Sequence, residues 1–504
     1  MFKRIILTLL IALLALSASL AVGCGGNNPA NGSESSFIES PTESSSESNS
    51  ESSSENPDQV REVECRLEIA DDVIAVAAGD ECETEIAEFT FDGENADKTL
   101  LEYSSSDENV FTVDENGIIS AIGAGTAYVT ASFQGVTAKT RVEVGVSRDS
   151  LKKFSEEAVK IHGRHVKNSD GKLVFDNVNS GIELWFFGTE FKVAFDVPKT
   201  ASTAVGLTQY GFLRVYLDDD IKYGYTTDIE ELNVAGRRVA LDKSGDGAVY
   251  TLASGLDEGY HRIQILKASE QRLNGDTRWV VSSLISDENC LVITAKESKK
   301  SIKIDFYGDS ISCGAGNLGE NSEHIYNTNG DGTKTYASFT ARALNADSSV
   351  VSKSGLCVSA ELVGKDLSLE KCWDNVSIHN NEKTEIDPDT NLVVINLGTN
   401  DFSDIYKGNS TYADLTAGIV RTLTAMKKKY TNAKFVWCYG LMNEVPDVKN
   451  AIVSALGQMG GEESGFYYVT LTVDTSGGAT HPTVNGHIAS ARVLTDFIKN
   501  KGLI

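Results

Sequence analysis

Ile302-Lys303-Ile304-Asp305-Phe306-Tyr307-Gly308-Asp309-Ser310-Ile311-Ser312 is the stretch that decides the fold of the C-terminal part of the chain. Its apolar residues run from Ile302 to Tyr307 as a strand, and Gly308 stops it. Ser310 then opens the next turn with its hydroxyl free and its amide unpaired. Two further apolar strands follow, Leu392–Leu397 and Phe435–Tyr439. Elsewhere in this segment the period changes. Tyr412, Leu415, Ile419, Leu423 and Met426 recur at helical spacing, as do Val448, Ile452, Leu456 and Met459. Strands alternating with helices over residues 301–502 predict a parallel sheet covered by helices on both faces. In such sheets function sits at the carboxyl ends of the strands.

Three of those ends or following loops carry suggestive residues. The first holds Gly308-Asp309-Ser310. The second is Asn396-Leu397-Gly398-Thr399-Asn400-Asp401, where a strand delivers an Asn side chain to the same edge. The third is His481-Pro482-Thr483-Val484-Asn485-Gly486-His487, a loop opening the last helix. A serine hydroxyl is a weak nucleophile until a base takes its proton, and the developing oxyanion needs donors. Ser310, His481 and Asn400 supply those parts in one sheet.

Gly-Asp-Ser after the first strand, Gly-Thr-Asn-Asp after a central strand and His-Pro near the end resemble the SGNH (GDSL-type) hydrolases. The resemblance implies Ser310 as nucleophile and His481 as base. It implies an oxyanion hole from the Ser310 and Gly355 amides and the Asn400 side chain, with Gly355 in Lys353-Ser354-Gly355-Leu356. A wider resemblance covers about 155–502: Ile161-His162-Gly163-Arg164, the run His261–Glu270 and the Gly308-Asp309-Ser310 strand end look like carbohydrate esterase family 2. Members remove acetyl groups from xylan or glucomannan and need no metal, so no cofactor is expected. Most SGNH hydrolases place an Asp three residues before the His. Here that position is Gly478. The family 2 likeness implies a Ser–His dyad whose ring is oriented by a backbone carbonyl, with Asp474 as the alternative third member. Trp373 and Tyr439 are candidate sugar-stacking residues. Asp309 and Asp401 are expected to support the backbone, and His487 to pack or cap.

Upstream, residues 152–296 alternate with a period near two, as in Gly181–Thr189 and Leu213–Leu217, and predict a β-sandwich, jelly-roll-like, as an accessory domain. Residues 60–146 read as short strands separated by Asn116-Gly117, Gly123 and Gln134-Gly135. Tyr103–Asp107, Val113–Gly117 and Gly123–Ala127 resemble a bacterial Ig-like domain of the second group. The expected fold class is therefore multidomain: Ig-like β-sandwich, second β-sandwich, then α/β hydrolase domain.

The N-terminus carries an address. Lys3 and Arg4 precede an apolar run, Ile5–Leu16, ending in Ala21-Val22-Gly23-Cys24. This describes a secretory signal over 1–23, and the Cys resembles the lipidated residue of bacterial lipoproteins. Residues 24–59, rich in Ser and Glu, predict a disordered tether. The expected location is the bacterial cell surface, lipid-anchored at Cys24, with the membrane met only through that anchor. With Cys24 lipidated, 7 of the 8 cysteines remain, an odd number, and their scatter suits buried thiols, Cys65 and Cys82 being candidates for one disulfide. No Cys/His spacing matches a zinc site. A net charge of −27 argues against nucleic acid or an anionic membrane surface as partner.

The leading expectation is a serine carboxylic-ester hydrolase that deacetylates polysaccharides. Two alternatives stand beside it. One is an SGNH esterase acting on another acyl ester, such as a bacterial surface glycan. The other is a carbohydrate-binding lipoprotein with a vestigial site.

Overall fold

The computed structural model describes residues 64–504, apart from 153–158, 198–210, 224–228, 244, 271–277, 294–299, 360–366 and 379. The signal segment, Cys24 and the tether lie outside the described residues.

In the C-terminal part, five strands form a wholly parallel sheet: β1 (Ile302–Gly308), β2 (Ala346–Ser352), β3 (Leu392–Asn396), β4 (Lys434–Tyr439) and β5 (Phe466–Thr470). Their spatial order is β2-β1-β3-β4-β5. Every residue of β3 is buried, which explains its unbroken apolar run. Successive side chains point to opposite faces, so β3 feeds two cores at once. Leu392 and Val394 join one core with Ile304, Phe306 and Val436, closed by α2 (Tyr336–Ala343) and α6 (Val484–Asn500). Val393 and Ile395 join the other with Tyr307, Phe435 and Trp437, closed by α4 (Tyr412–Lys427) and α5 (Pro446–Gln458). Between them run α1 (Ser310–Cys313) and α3 (Thr399–Tyr406), the two short helices that start at the site. The helical spacing read from Tyr412 to Met426 and from Val448 to Met459 marks the inward faces of α4 and α5.

Residues 160–293 form one nine-stranded antiparallel sheet. Its frame is a pair of long strands, Gly181–Val197 and Gly245–Lys267, aligned through three register shifts. On its other edge Gly181–Val197 takes Trp279–Ile285, Cys290–Ile293 and Lys160–His162. The expected sandwich is thus a single sheet curled around its core. The first shift falls at Gly188, where φ is 141 and a Cβ would stand 2.2 Å from the Asn289 carbonyl oxygen. Residues 64–146 carry small sheets of 3, 4 and 3 strands around one apolar cluster. Gln134-Gly135, read as a turn, joins Gly125–Phe133 to Val136–Gly145, with positive φ at both residues. All seven cysteines among the described residues are free, so Cys65 and Cys82 do not pair.

The curled sheet and the parallel sheet are joined by buried polar contacts. Arg164 is 8% exposed; its Nη1 donates to the Trp373 and Asn375 carbonyls at 2.9 and 2.7 Å, and its Nη2 to Tyr307 and Tyr430 hydroxyls at 2.5 and 3.1 Å. Asp305 completes the group at 3.3 Å. Arg214 pairs with the fully buried Asp331. Arg164→Ala would leave the Trp373 and Asn375 carbonyls without their donor and take the charge partner from Asp305, which keeps the Ser349 and Tyr430 hydroxyls. It is expected to destabilise the protein by about 3–5 kcal/mol, read as a lowered urea midpoint.

Candidate active site

The strand order reverses direction between β1 and β3, and the crevice beyond their carboxyl ends is where such sheets bind ligands. Both ends are shaped by glycine. A Cβ on Gly308 would stand 2.0 Å from Ser312 Oγ, and Gly398 turns out of β3 with φ 131.

Ser310 is the first residue of α1, so its N–H has no partner within the helix. Asp309 caps that helix, its Oδ1 accepting from the Ile311 amide at 3.0 Å. His481 lies in the loop between β5 and α6, with Nε2 2.8 Å from Ser310 Oγ. Its Nδ1 is 3.1 Å from the Ala479 carbonyl oxygen. A carbonyl can only accept, so that contact places the proton on Nδ1 and leaves Nε2 as the basic nitrogen facing the serine. Both residues are 8% exposed.

The carbonyl reaches the ring because the loop is strained. Ala479 has φ 47 and Thr480 φ 62, left-handed conformations that side chains resist, a β-branched one most of all. Neighbours hold the loop in place. Gly478 N donates to Gly316 O and Ala479 N to Glu323 O, each at 2.8 Å, and Gly477 N returns to His481 O at 2.8 Å. Asp474 does not face the imidazole. Its Oδ2 accepts from Thr483 N and Oγ1 at 2.9 and 2.5 Å, and its Oδ1 from Ser476 N at 3.0 Å. Burial raises its pKa, yet the Thr483 and Ser476 donors outweigh burial and hold the carboxyl below its usual range.

Asn400 is the second residue of α3. Its Nδ2 donates to Asp309 Oδ2 at 3.2 Å and to Leu356 O at 3.1 Å. One side-chain amide therefore links the neighbour of Ser310 to the neighbour of Gly355. Gly355 itself has φ 84. Both Asn400 protons are engaged, which nothing in Gly398-Thr399-Asn400-Asp401 signals. Asp309 and Asp401 are fully buried beside this group. Burial, opposed by the Ile311 amide and reinforced by the Asp401 charge, pushes Asp309 up to about 7. Burial, opposed by the Val358 amide, pushes Asp401 up to about 7.

Two expectations need correction. Trp373 is 7% exposed and Tyr439 0% exposed; both belong to the core between β3 and β4 and the helices α4 and α5. Tyr439 spends its hydroxyl on Asn443 Oδ1 at 2.9 Å. Neither offers an open ring face to a sugar, because aromatic residues at strand ends fill the sheet's own packing. His487, 0% exposed in α6, accepts from Tyr336 N at 3.1 Å, and burial drives its pKa down to about 3, so it packs as a neutral ring. No cluster of His, Cys, Asp or Glu suited to a metal occurs among the described residues.

Residues 306–493 match the model of the GDSL-like lipase/acylhydrolase family. This part of the chain is similar to the GDSL-type acylhydrolases. Over 262 residues the chain is 26% identical to the cellulase/esterase CelE of Acetivibrio thermocellus, a match spanning 50% of this chain but only 31% of that protein. Over 289 residues it is 25% identical to an acetylxylan esterase/glucomannan deacetylase of Cellvibrio japonicus, spanning 52% of this chain and 75% of the relative. A family two carbohydrate esterase from Clostridium thermocellum, solved with cellohexaose, superposes with TM-score 0.57 at 21% identity, covering 69% of this chain and all (100%) of that one. An acetyl xylan esterase from Butyrivibrio proteoclasticus gives 0.56 at 19% identity, over 70% and 98%. At these identities the structural likeness is one of fold, and it covers more of the chain than residues 306–493.

Two measurements check the electrostatics of this domain. Asp401 titrates near 7 when folded against an ordinary value of 3.8, so the native state holds a proton that the unfolded chain releases. Its contribution is complete below about pH 4 and is lost as pH rises towards 7. Asp401→Asn, neutral throughout, should therefore gain on wild type by more than ~1 kcal/mol between pH 5 and pH 8 in urea titrations. Asp474→Ala should lower the unfolding free energy by about 1–3 kcal/mol through its orphaned donors, read in urea titrations. Its turnover should stay within about tenfold of wild type, against the ~10⁴ loss expected of a triad acid.

Proposed function

We propose that the protein is an extracellular carbohydrate O-acetyl esterase that removes acetyl groups from a polysaccharide such as xylan or glucomannan, using Ser310 and His481 as a dyad. The carrying observation is the 2.8 Å contact of Ser310 Oγ with His481 Nε2, in a ring whose other nitrogen meets a carbonyl. The substrate class rests on the similarity to the Cellvibrio acetylxylan esterase/glucomannan deacetylase.

Ser310 Oγ attacks the acetyl carbonyl carbon while its proton passes to Nε2. The imidazolium so formed keeps its Nδ1–H on the Ala479 carbonyl, which fixes the ring without a second charge. The oxyanion draws on the Ser310 and Gly355 amides and on Asn400, one of whose protons turns from its existing acceptor. Collapse of the tetrahedral adduct expels the sugar oxygen, which takes the proton from Nε2. Water, deprotonated by the same nitrogen, then attacks acetyl-Ser310 and releases acetate. In this reading Cys24 carries a lipid anchor, the Ser/Glu-rich segment is a tether, and residues 64–146 are an Ig-like spacer that holds the esterase off the membrane.

Ser310→Ala should abolish acetate release from acetylated xylan and from 4-nitrophenyl acetate, with the unfolding midpoint kept. Activity within tenfold of wild type would remove Ser310 from the mechanism. Asn400→Ala should lower kcat by about 10²–10³, the usual cost of one oxyanion donor. Undiminished turnover would place that amide outside the hole.

A further inference from the structure

Glu270 comes from the curled sheet, beyond the end of the strand Gly245–Lys267, yet it reaches the loop that follows β2. It is 7% exposed, and both carboxylate oxygens meet Ser354. Among its contacts, Oε1 accepts from the Ser354 amide and Oε2 from the Ser354 hydroxyl, each at 2.6 Å. Ser354 immediately precedes Gly355. Two charge-assisted bonds to backbone and side chain of one residue fix its frame in a way a single contact does not. The turn has two more ties: Lys353 N donates to Gly308 O at 3.2 Å and Leu356 N to Lys353 O at 3.0 Å.

Glu270 is itself firmly placed. Ala268 donates to Phe212 O at 2.9 Å and accepts from Gly332 N at 2.7 Å, so its backbone is gripped by the curled sheet on one side and the α/β domain on the other. Ser269 Oγ accepts from Phe212 N at 2.9 Å, and its carbonyl accepts from Lys267 Nζ. The carboxylate that meets Ser354 is therefore mounted on a rigid support.

We infer that Glu270 is a positioning residue for the oxyanion hole, by which the curled sheet sets the direction of the Gly355 amide. The inference rests on the esterase reading above and assigns the accessory sheet a share in turnover. With Ser354 held at two points, rotation about the bonds leading to Gly355 is what remains to aim its N–H. At φ 84 that N–H is oriented as few residues other than glycine allow. Without the clamp the donor is present but unaimed. An interaction made only with the developing oxyanion is then lost, while ground-state binding stays.

The test uses the full chain, with Glu270→Ala and the isosteric Glu270→Gln beside wild type. Three quantities are read on 4-nitrophenyl acetate: kcat, KM, and the inhibition constant of ethylboronic acid, whose tetrahedral serine adduct places an oxygen in the hole. Glu270→Ala should lower kcat by about 10²-fold, weaken the boronate by a similar factor and leave KM within about threefold. Glu270→Gln, which keeps an acceptor for the Ser354 amide, should recover at least about tenfold of the lost kcat. A residue that only joined the domains would lower the unfolding midpoint and leave kcat and boronate affinity per folded molecule unchanged. That result in Glu270→Ala overturns the inference, and so does a Glu270→Gln variant that folds yet recovers none of the kcat lost in Glu270→Ala. Wild-type protein that releases no acetate would instead overturn the esterase reading itself.

Discussion

The catalytic arrangement hangs on the contact between the Ala479 carbonyl and the back of the His481 ring. A carbonyl oxygen carries a partial charge, so it steers the imidazole less strongly than an aspartate does and must be held more rigidly to have the same effect. Here rigidity comes from backbone strain. Left-handed conformations at Ala479 and Thr480 cost on the order of 1–2 kcal/mol each, and the outlay is met by hydrogen bonds to the Gly316 and Glu323 carbonyls across the crevice. Asp474 contributes from behind by tying Ser476 and Thr483, at the two ends of the strained turn, to one carboxylate. The acid is therefore in the machinery, acting on the loop and not on the ring.

The same economy governs the interface of the two sheets. Arg164 and Arg214 enter the α/β domain from the curled sheet and find carboxylates and carbonyls already lacking water. Gly332 N donates to Ala268 O between them, and Lys334 Nζ reaches back to Asn233 Oδ1 at 2.6 Å. Desolvated polar contacts of this kind add little net stability, but they tolerate no misregistration. They fix the sheets in one relative position, and the turn at Ser354 can then be gripped from outside its own domain.

Much of this was legible in the sequence. The buried runs of β1, β3 and β4 and the inward stripes of α4 and α5 follow from hydrophobic period, since both faces of a parallel sheet are covered. Ser310, Asn400 and His481 were legible through the glycines and turn residues around them. What escaped has identifiable causes. The start of β2, Ala346-Asp347-Ser348-Ser349, is polar because it is an edge strand whose side chains meet Lys160 and Asp305. Ala479 and Thr480 carry no mark of positive φ, as neither is glycine or asparagine. Trp373 and Tyr439 were misplaced because composition cannot tell a packed ring from an open one. The curled sheet was read as a sandwich because its long strands alternate as two shorter ones would.

Gly478 sits where most hydrolases of this type carry their acid, and it faces Gly316. A Cβ at 316 would stand 2.6 Å from the Gly478 carbonyl oxygen, and a Cβ at 478 would stand 3.2 Å from Gly316 Cα. Two glycines pressed together in this way constrain which side chains either position accepts. An aspartate arriving at 478 would meet a crowded backbone and a ring nitrogen already occupied, so the step towards a triad is uphill unless the 314–331 loop moves first. Close packing of two residues without side chains therefore leaves position 478 no room for an acid while the 314–331 loop stays where it is.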